Sequence, residues 1–233
     1  MKLKKVIMFF VLTISVNVFA QSGCIYYKKQ LISANEESSE GYFKQASILL
    51  KIQEYELSYN KDGSLYKKVE KLSIENNLIV ESFAQSISEF SGEVYHNPIK
   101  KTTIHKKEFS GSSFLIHKKT IKWTLTSDTL RIDNYLCYKA TTLRTIKNSE
   151  GIHKLLVTAW YTPNIPLLYG PDGYCGLPGL ILQLENNGIL TTVSKINFFN
   201  DKIIKISYPS KGKEVTEDEY NEIVSEKFEN RKG

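Results

Sequence analysis

Residues 170–196, GPDGYCGLPGLILQLENNGILTTVSKI, hold the two signals on which the architecture turns. The second half is the simpler one. Leu180–Glu185 and Ile189–Ile196 are β-type runs separated by Asn186-Asn187-Gly188, residues that tolerate the positive backbone angles of a tight hairpin turn. The first half is irregular. Gly170, Gly173, Gly176 and Gly179 recur at every third position, yet four triplets with no continuation cannot build a collagen-type helix. Four of the six prolines, Pro163, Pro166, Pro171 and Pro178, fall between Trp160 and Leu180. Each fixes its own backbone angle and removes an N–H donor, so residues 163–179 cannot form a central strand. They make a long, stiff excursion between two buried strands, and loops of that length are often functional. Leu177-Pro178-Gly179-Leu180 has Pro second and Gly third, which predicts a type II turn launching the strand at Leu180.

The same turn chemistry continues outward. Tyr55–Tyr59 and Leu65–Val69 flank Asn60-Lys61-Asp62-Gly63, and Val193–Phe198 and Ile203–Ser207 flank Asn200-Asp201-Lys202. Thr120–Leu125, Leu130–Ile132 and Leu136–Leu143 are further short runs, broken at Ser127-Asp128 and Asp133-Asn134. Strands joined by short turns pair antiparallel, which predicts a meander. Leu155, Val157, Ala159 and Tyr161 alternate with Leu156, Thr158 and Trp160, so this strand is expected to be covered on both faces. Two segments have helical character. From Asn76 to Phe90, apolar residues fall at Ile79, Phe83, Ile87 and Phe90, close to the 3.6-residue period. Near the C-terminus Thr216 and Glu219 have capping-box spacing, followed by an apolar stripe of Tyr220, Ile223, Val224 and Phe228. The expected fold is mostly β, of the α+β class: a large curved antiparallel meander or half-barrel with two packed helices.

Lys2, Lys4 and Lys5, the apolar segment Val6–Val16 and the small-residue exit Val18-Phe19-Ala20 have the layout of a secretory signal peptide. The apolar segment is short for a bilayer span, which needs about 20 residues. Residues 1–20 are therefore expected to be a signal peptide, and residues 21–233 one β-rich domain. Cleavage before Cys24 with lipid attachment is the rival, but Gln21 stands where a lipobox wants an apolar residue. Without the leader, 28 Lys+Arg face 25 Asp+Glu, a net of +3 that does not point to nucleic acid. Export brings an oxidising compartment, so one disulfide among Cys24, Cys137 and Cys175 is plausible, its pairing unreadable.

Catalytic signatures are missing. The chain has no Gly-x-Ser-x-Gly elbow, His-Glu-x-x-His, phosphate-binding loop or dinucleotide fingerprint. His96, His105, His117 and His153 stand apart from Cys or carboxylates at ligand spacing, and His105 and His117, which a hairpin through Gly111 would bring close, are expected in solvent. No catalytic, metal or cofactor residues are assigned. Lys100, Lys101, Lys106, Lys107, Lys118 and Lys119 against Glu108 form the one local charge anomaly. They suit an acidic partner or, more simply, a lysine-protected edge hairpin. The candidate interaction surface is the stiff loop, with Pro166, Tyr169, Pro171, Tyr174, Gly176, Leu177, Pro178 and Gly179, in which Tyr169, Tyr174 and Leu177 are expected to be exposed.

Gly176-Leu177-Pro178-Gly179-Leu180-Ile181 resembles the signature string of the GLPGLI family of exported Bacteroidota proteins. Trp123, Asn134–Ala140, Ala159–Pro163, Ile165-Pro166, Gly170-Pro171 and Ser58-Tyr59-Asn60 before Ser64-Leu65 resemble its landmarks in order. Asn134 departs from an expected Gly, and Cys175 from an expected apolar residue. The resemblance implies residence in the cell envelope, periplasmic or at the outer membrane, and an outer-membrane transporter as partner. It carries over no catalytic residues. Three functions follow as expectations: a non-enzymatic partner-binding protein, a carrier of an apolar ligand such as a lipid, or a hydrolase with dispersed catalytic groups.

Overall fold

A computed structural model describes residues 22–32, 41–70, 77–148, 151–200 and 204–229. The predicted signal segment and most of the Asn200–Lys202 turn lie outside them. The hairpin signals at the centre of the sequence hold. Strands β10 (Leu180–Asn186) and β11 (Ile189–Phe199) pair antiparallel across Asn187-Gly188, both at positive φ (50° and 75°), as a type I′ turn requires. Strands β2 (Glu54–Asn60) and β3 (Gly63–Lys68) form the hairpin predicted around Asp62-Gly63, but with different turn chemistry. The Asn60 side chain closes it by accepting from the Asp62 and Gly63 amides, at 2.8 and 3.2 Å. Gly63 is needed there for space, since a Cβ would lie 2.4 Å from the His96 carbonyl oxygen.

Strand β1 (Ser22–Leu31) organises everything else. On one side β2, β3, β4 (Glu93–Asn97), β5 (Thr102–Phe109) and β6 (Ser112–Lys118) follow in chain order. On the other side β11, β10, β9 (Gly151–Thr162), β8 (Tyr135–Asn148) and β7 (Thr124–Ile132) run in reverse order. Two meanders thus meet on either side of β1. Short β12 (Lys213–Thr216) adds to β6 as the one parallel pair, completing a 12-stranded sheet that does not close into a barrel. The predicted break at Ser127-Asp128 is a β-bulge inside a continuous β7, where the register shifts between Leu125 and Thr129. Residues 204–207, predicted as the return arm of a third hairpin, form no strand, although Val193–Phe198 have β1 as their one strand neighbour; the Ile204 carbonyl instead accepts from the Asn60 side chain at 2.8 Å.

Chain length dictates curvature. β6 and β7 stand ten ladder steps apart, roughly 48 Å in a flat sheet. Residues 119–123 connect them directly and span at most about 20 Å. The sheet therefore has to curl until its two ends nearly meet. The half-barrel expectation holds, and its concave face holds the main core: Ile25, Tyr27, Tyr55, Leu57, Tyr59, Tyr66 and Val94. Strand β9 is covered less than predicted. Val157, Ala159 and Tyr161 are buried, but Leu156 is 61% exposed on the other face.

Among the described residues three α-helices accompany the sheet, one more than expected. α3 (Glu217–Glu229) starts at the predicted box: the Thr216 amide and hydroxyl donate to Glu219 Oε2, and the Glu219 amide donates to Thr216 Oγ1. Its Tyr220 and Ile223 pack on Phe114, Ile116 and Val215. α2 (Leu78–Ser88), capped by Asn77, occupies the predicted segment but is rotated. Of the predicted stripe Phe90 is buried and Ile87 packs on the helix-pair core, whereas Ile79 and Phe83 are 49% and 45% exposed and Val80, Ala84 and Ser88 are buried instead. α1 (Tyr42–Ile52) was not predicted and packs on α2 through Ala46.

Candidate functional site

Residues 163–179 lie inside the curl. The loop touches both meanders and so ties the sheet's two halves together. Towards β8–β10, Leu177 and Tyr174 pack with Ala140, Val157, Ala159, Tyr161, Ile181 and Leu184. Towards β2–β4, Ile165 and Tyr169 join the main core, and the Tyr169 ring contacts those of Tyr59 and His96. From the link between the meanders, Trp123 Nε1 donates to the Cys175 carbonyl at 2.9 Å. The buried backbone satisfies itself. Leu167 N donates to Ile165 O, Gly176 N to Leu168 O, Leu180 N to Ile165 O and Ile181 N to Tyr169 O, all within 3.0 Å.

The expected exposure of this loop is therefore corrected. Tyr169 and Leu177 are 6% and 1% exposed, Pro171 and Gly179 are buried, and Tyr174 is half-buried. Pro166, Gly176 and Pro178 do reach the surface, but as isolated points without an aromatic anchor. The physical reason is the curl itself, which opens a concave space that regular strands cannot fill. The type II turn is corrected too. Gly179 N donates to Leu177 O, a three-residue turn around Pro178, while Leu180 N turns away to Ile165 O. Gly179 is demanded by contact: a Cβ there would stand 2.2 Å from Thr162 O.

Beneath the loop is a buried ion pair. Lys29 Nζ, its side chain 0% exposed, donates to both carboxylate oxygens of Asp172 at 2.8 Å and to Ser88 O at 3.0 Å. The ammonium also sits over the Tyr55 and Phe90 rings. Burial lowers the lysine's affinity for its proton, and the Asp172 charge opposes that shift. Asp172 holds a left-handed backbone, φ 56°, in the single 3₁₀ turn Pro171–Gly173. That strained angle aims its carboxylate at β1. Around the pair, Tyr27 donates to Ile181 O, and burial first, then the Asp172 charge, pushes the Tyr27 and Tyr66 hydroxyls well above the ordinary tyrosine range.

A second polar group forms between the loop and the β4–β5 hairpin. Cys175 Sγ lies 3.6 Å from His96 Nδ1, Thr103 Oγ1 lies 2.8 Å from the same nitrogen, and Thr103 Oγ1 is 3.9 Å from Cys175 Sγ. Burial lowers the His96 pKa and raises that of Cys175, so this is a neutral imidazole beside a thiol. No disulfide links Cys24, Cys137 and Cys175, so the expected bridge is not formed. His105 is not solvated either. It is buried, stacked on Phe90, bonded through Nε2 to Ser91 O, and pushed down to about 3 by burial and by nearby lysines. His117 projects to the opposite face, near Glu214.

The lysine-rich hairpin, β5–β6, is not a bare edge, because β12 pairs with β6. Lys118 bonds Glu217 and Lys119 bonds Asp218 in the acidic first turn of α3, while Lys106 bonds Glu93. Three of its six lysines are thus paired with carboxylates of the chain, and Lys107 sits over the Tyr220 ring. An open depression in the surface lies elsewhere. β10 pairs with β11 only over Ile189–Thr192, so Val193–Phe198 keep a strand neighbour, β1, on one side alone. There the β7–β8 tip, Asp133–Tyr135, faces Val193–Ile196 across a groove of ≈ 520 Å³. The void under the loop is far smaller, ≈ 10 Å³, about the room of one water. Among the described residues no three His, Cys, Asp or Glu converge as a metal centre, and no helix is long and apolar enough to cross a membrane.

Residues 147–183 match the model of a family described as proteins of unknown function, Porph_ging. That span contains the whole loop and the Gly176–Ile181 string. No curated protein matches the chain. Two solved structures of PNGF-II, in the C2 and P21 space groups, share the fold: TM-score 0.52 each, with 15% and 16% identity over 88% of this chain. The chain spans about a third of their length, 33%.

Proposed function

We propose that this is an exported cell-envelope protein of the GLPGLI type that acts by holding a protein partner, an outer-membrane transporter being the expected one. The observation that carries the reading is how the concave face is filled. Its own loop occupies the space where a half-barrel carrier would keep its lipid, leaving ≈ 10 Å³. The open groove lies instead along the one-sided stretch of β11, whose main-chain groups suit an added extended segment. The leader-like layout of residues 1–20 and the string Gly176–Ile181 support the export and family parts. Carriage of an apolar ligand and hydrolysis remain the alternatives, and both lack a chamber or cleft beneath the loop.

Affinity capture from envelope membranes tests this. Asp133→Lys with Lys195→Glu, both exposed on the groove walls, should leave thermal stability unchanged and abolish capture of an envelope protein. Undiminished capture by that variant would remove the groove from the reading. Protein that brings down lipid and no partner would establish the carrier.

A further inference from the structure

We propose that Lys29 and Asp172 become joined, side chain to side chain, by an amide bond formed by the folded chain itself. The reacting atoms are already placed. Lys29 Nζ stands 2.8 Å from each carboxylate oxygen of Asp172, which puts it roughly 3 Å from the carboxyl carbon, the separation of a near-attack pair. The carboxyl group can present its face to the amine by turning about χ2, a soft torsion. The two residues sit on separate elements, β1 and the 3₁₀ turn of the loop, so the fold supplies the encounter. Well-oriented pairs held in this way reach effective molarities of about 10⁵ M or more.

The surroundings favour the amide over the ion pair. The lysine is fully buried over the Tyr55 and Phe90 rings, where burial disfavours its charge and so favours the free amine that attacks. An amide needs an acceptor for its N–H and a donor for its carbonyl, and both are in place. Ser88 O, 3.0 Å from Nζ, takes the N–H. Tyr66 is buried, and its hydroxyl donates to the Asp172 carboxyl group, whose retained oxygen becomes the amide carbonyl. Two buried charges are thereby replaced by one neutral, hydrogen-bonded group. The ≈ 10 Å³ void, lined by Tyr66 and by Gly173 next to Asp172, has room for the one water that the reaction releases.

The step balances as a condensation. A proton passes from the ammonium to one carboxylate oxygen, leaving an amine beside a carboxylic acid. The Nζ lone pair attacks the carboxyl carbon, and the Tyr66 hydroxyl steadies the oxyanion of the tetrahedral intermediate. The carboxyl hydroxyl takes a second proton from the nitrogen and leaves as water. One C–N bond replaces one C–O bond, and no electron is transferred.

The test is the intact mass and tryptic map of the purified chain, unfolded before measurement. Wild-type protein should be lighter than its sequence by one water. Trypsin should spare Lys29, and a branched peptide should join residues 29–44 to residues 155–195. Lys29→Arg and Asp172→Ala should each show full mass. Tyr66→Phe, made by cell-free synthesis, should link at least about tenfold more slowly than wild type. Lys29→Met with Asp172→Leu should regain what an orphaned charge costs, yet unfold at lower urea than the linked wild type, whose closed 29–172 loop restrains the unfolded chain. Full mass in the wild type would overturn the link. So would a deficit of one water confined to a linear peptide at Asp172-Gly173, which marks a cyclised aspartate.

Discussion

The loop at 163–179 and the α1–α2 pair invert the usual relation between regularity and burial. The loop has no regular structure beyond one 3₁₀ turn, yet Ile165, Tyr169 and Leu177 are among the most buried side chains of the molecule. The helices are regular, yet Tyr42, Phe43, Ile48, Ile52, Leu78, Ile79 and Phe83 are 40% or more exposed. Proline, glycine and apolar period therefore report what shape a segment can take. They do not report what the rest of the chain leaves for it to fill. Here a curled sheet left a concave space spanning two meanders. A stiff, irregular segment that satisfies its own amides fills that space better than a helix, whose carbonyls need a straight run.

The comparison breaks most severely if the loop's anchor is removed. Asp172→Ala leaves the Lys29 ammonium buried beside a single carbonyl acceptor, and orphaning one member of a buried pair costs about 3–5 kcal/mol. Urea denaturation should show that loss, while Lys29→Met with Asp172→Leu should recover most of it. Equal stability of Asp172→Ala and wild type would mean that the loop is merely laid on the core.

The glycines sharpen the point with a smaller effect. A Cβ at Gly179 would stand 2.2 Å from Thr162 O, so Gly179→Ala forces the loop off β9 and should cost about 1–3 kcal/mol. Gly176, at φ 88° with open space around it, is constrained by angle alone, and Gly176→Ala should cost about 1 kcal/mol, the low end for an L-residue held left-handed. If the two variants have the same thermal midpoint, close approach is not what fixes Gly179.

What was legible in the sequence was local. Asn187-Gly188 encodes its own turn, and Thr216 with Glu219 encodes its own cap, because each partner is within three residues. Chain order made the meander readable for the same reason. Lys29 was not readable as a core residue: it lies between Lys28 and Gln30 in a strand of alternating burial, and Asp172 is 143 residues further on. His96 and Cys175 are 79 residues apart and meet only because the sheet curls. α1 escaped notice because apolar residues surround it, Ala46 and Leu50 inward and Ile48 and Ile52 outward, and Gly41 supplies no side-chain cap. In α2 the period was correct, but the phase held only towards its C-terminal end, where Ile87 packs on the helix pair, since Val80 and Ala84 could pack closely on Ala46 where Ile79 and Phe83 are bulkier.

Acid offers a test that separates the core beside the loop from the helix surface. His105 stays neutral in the fold, held near 3 against an ordinary 6.5, so the unfolded chain binds a proton that the folded one refuses. Its contribution is intact above pH 6.5 and falls by about 1.4 kcal/mol per unit as the pH drops below that value. At pH 5.5 the thermal midpoint should already be lower than at pH 7.5. His105→Phe should flatten this dependence, because Phe keeps the stack on Phe90 and removes the titration. A slope that persists in His105→Phe would assign the acid sensitivity elsewhere, with His96 the next ring to replace.

The smallest effect belongs to the helices and decides whether their exposed apolar residues contribute to folding at all. Ile79 and Phe83 form one stripe on α2, spaced four apart beside the buried Val80 and Ala84, so their remaining contact is with the margin of the helix pair. Neither creates a cavity when shortened, and solvent-facing substitutions away from caps and networks change stability by no more than about 0.5 kcal/mol. Ile79→Ser with Phe83→Ser should thus unfold at the wild-type urea midpoint within error, while Tyr169→Ala in the irregular loop loses about 3 kcal/mol or more. A double serine variant that unfolds early would place these side chains in the core after all and restore the phase read from the sequence. With the midpoint unchanged, burial in this molecule follows the curl of the sheet, and the regular helices are its outer margin.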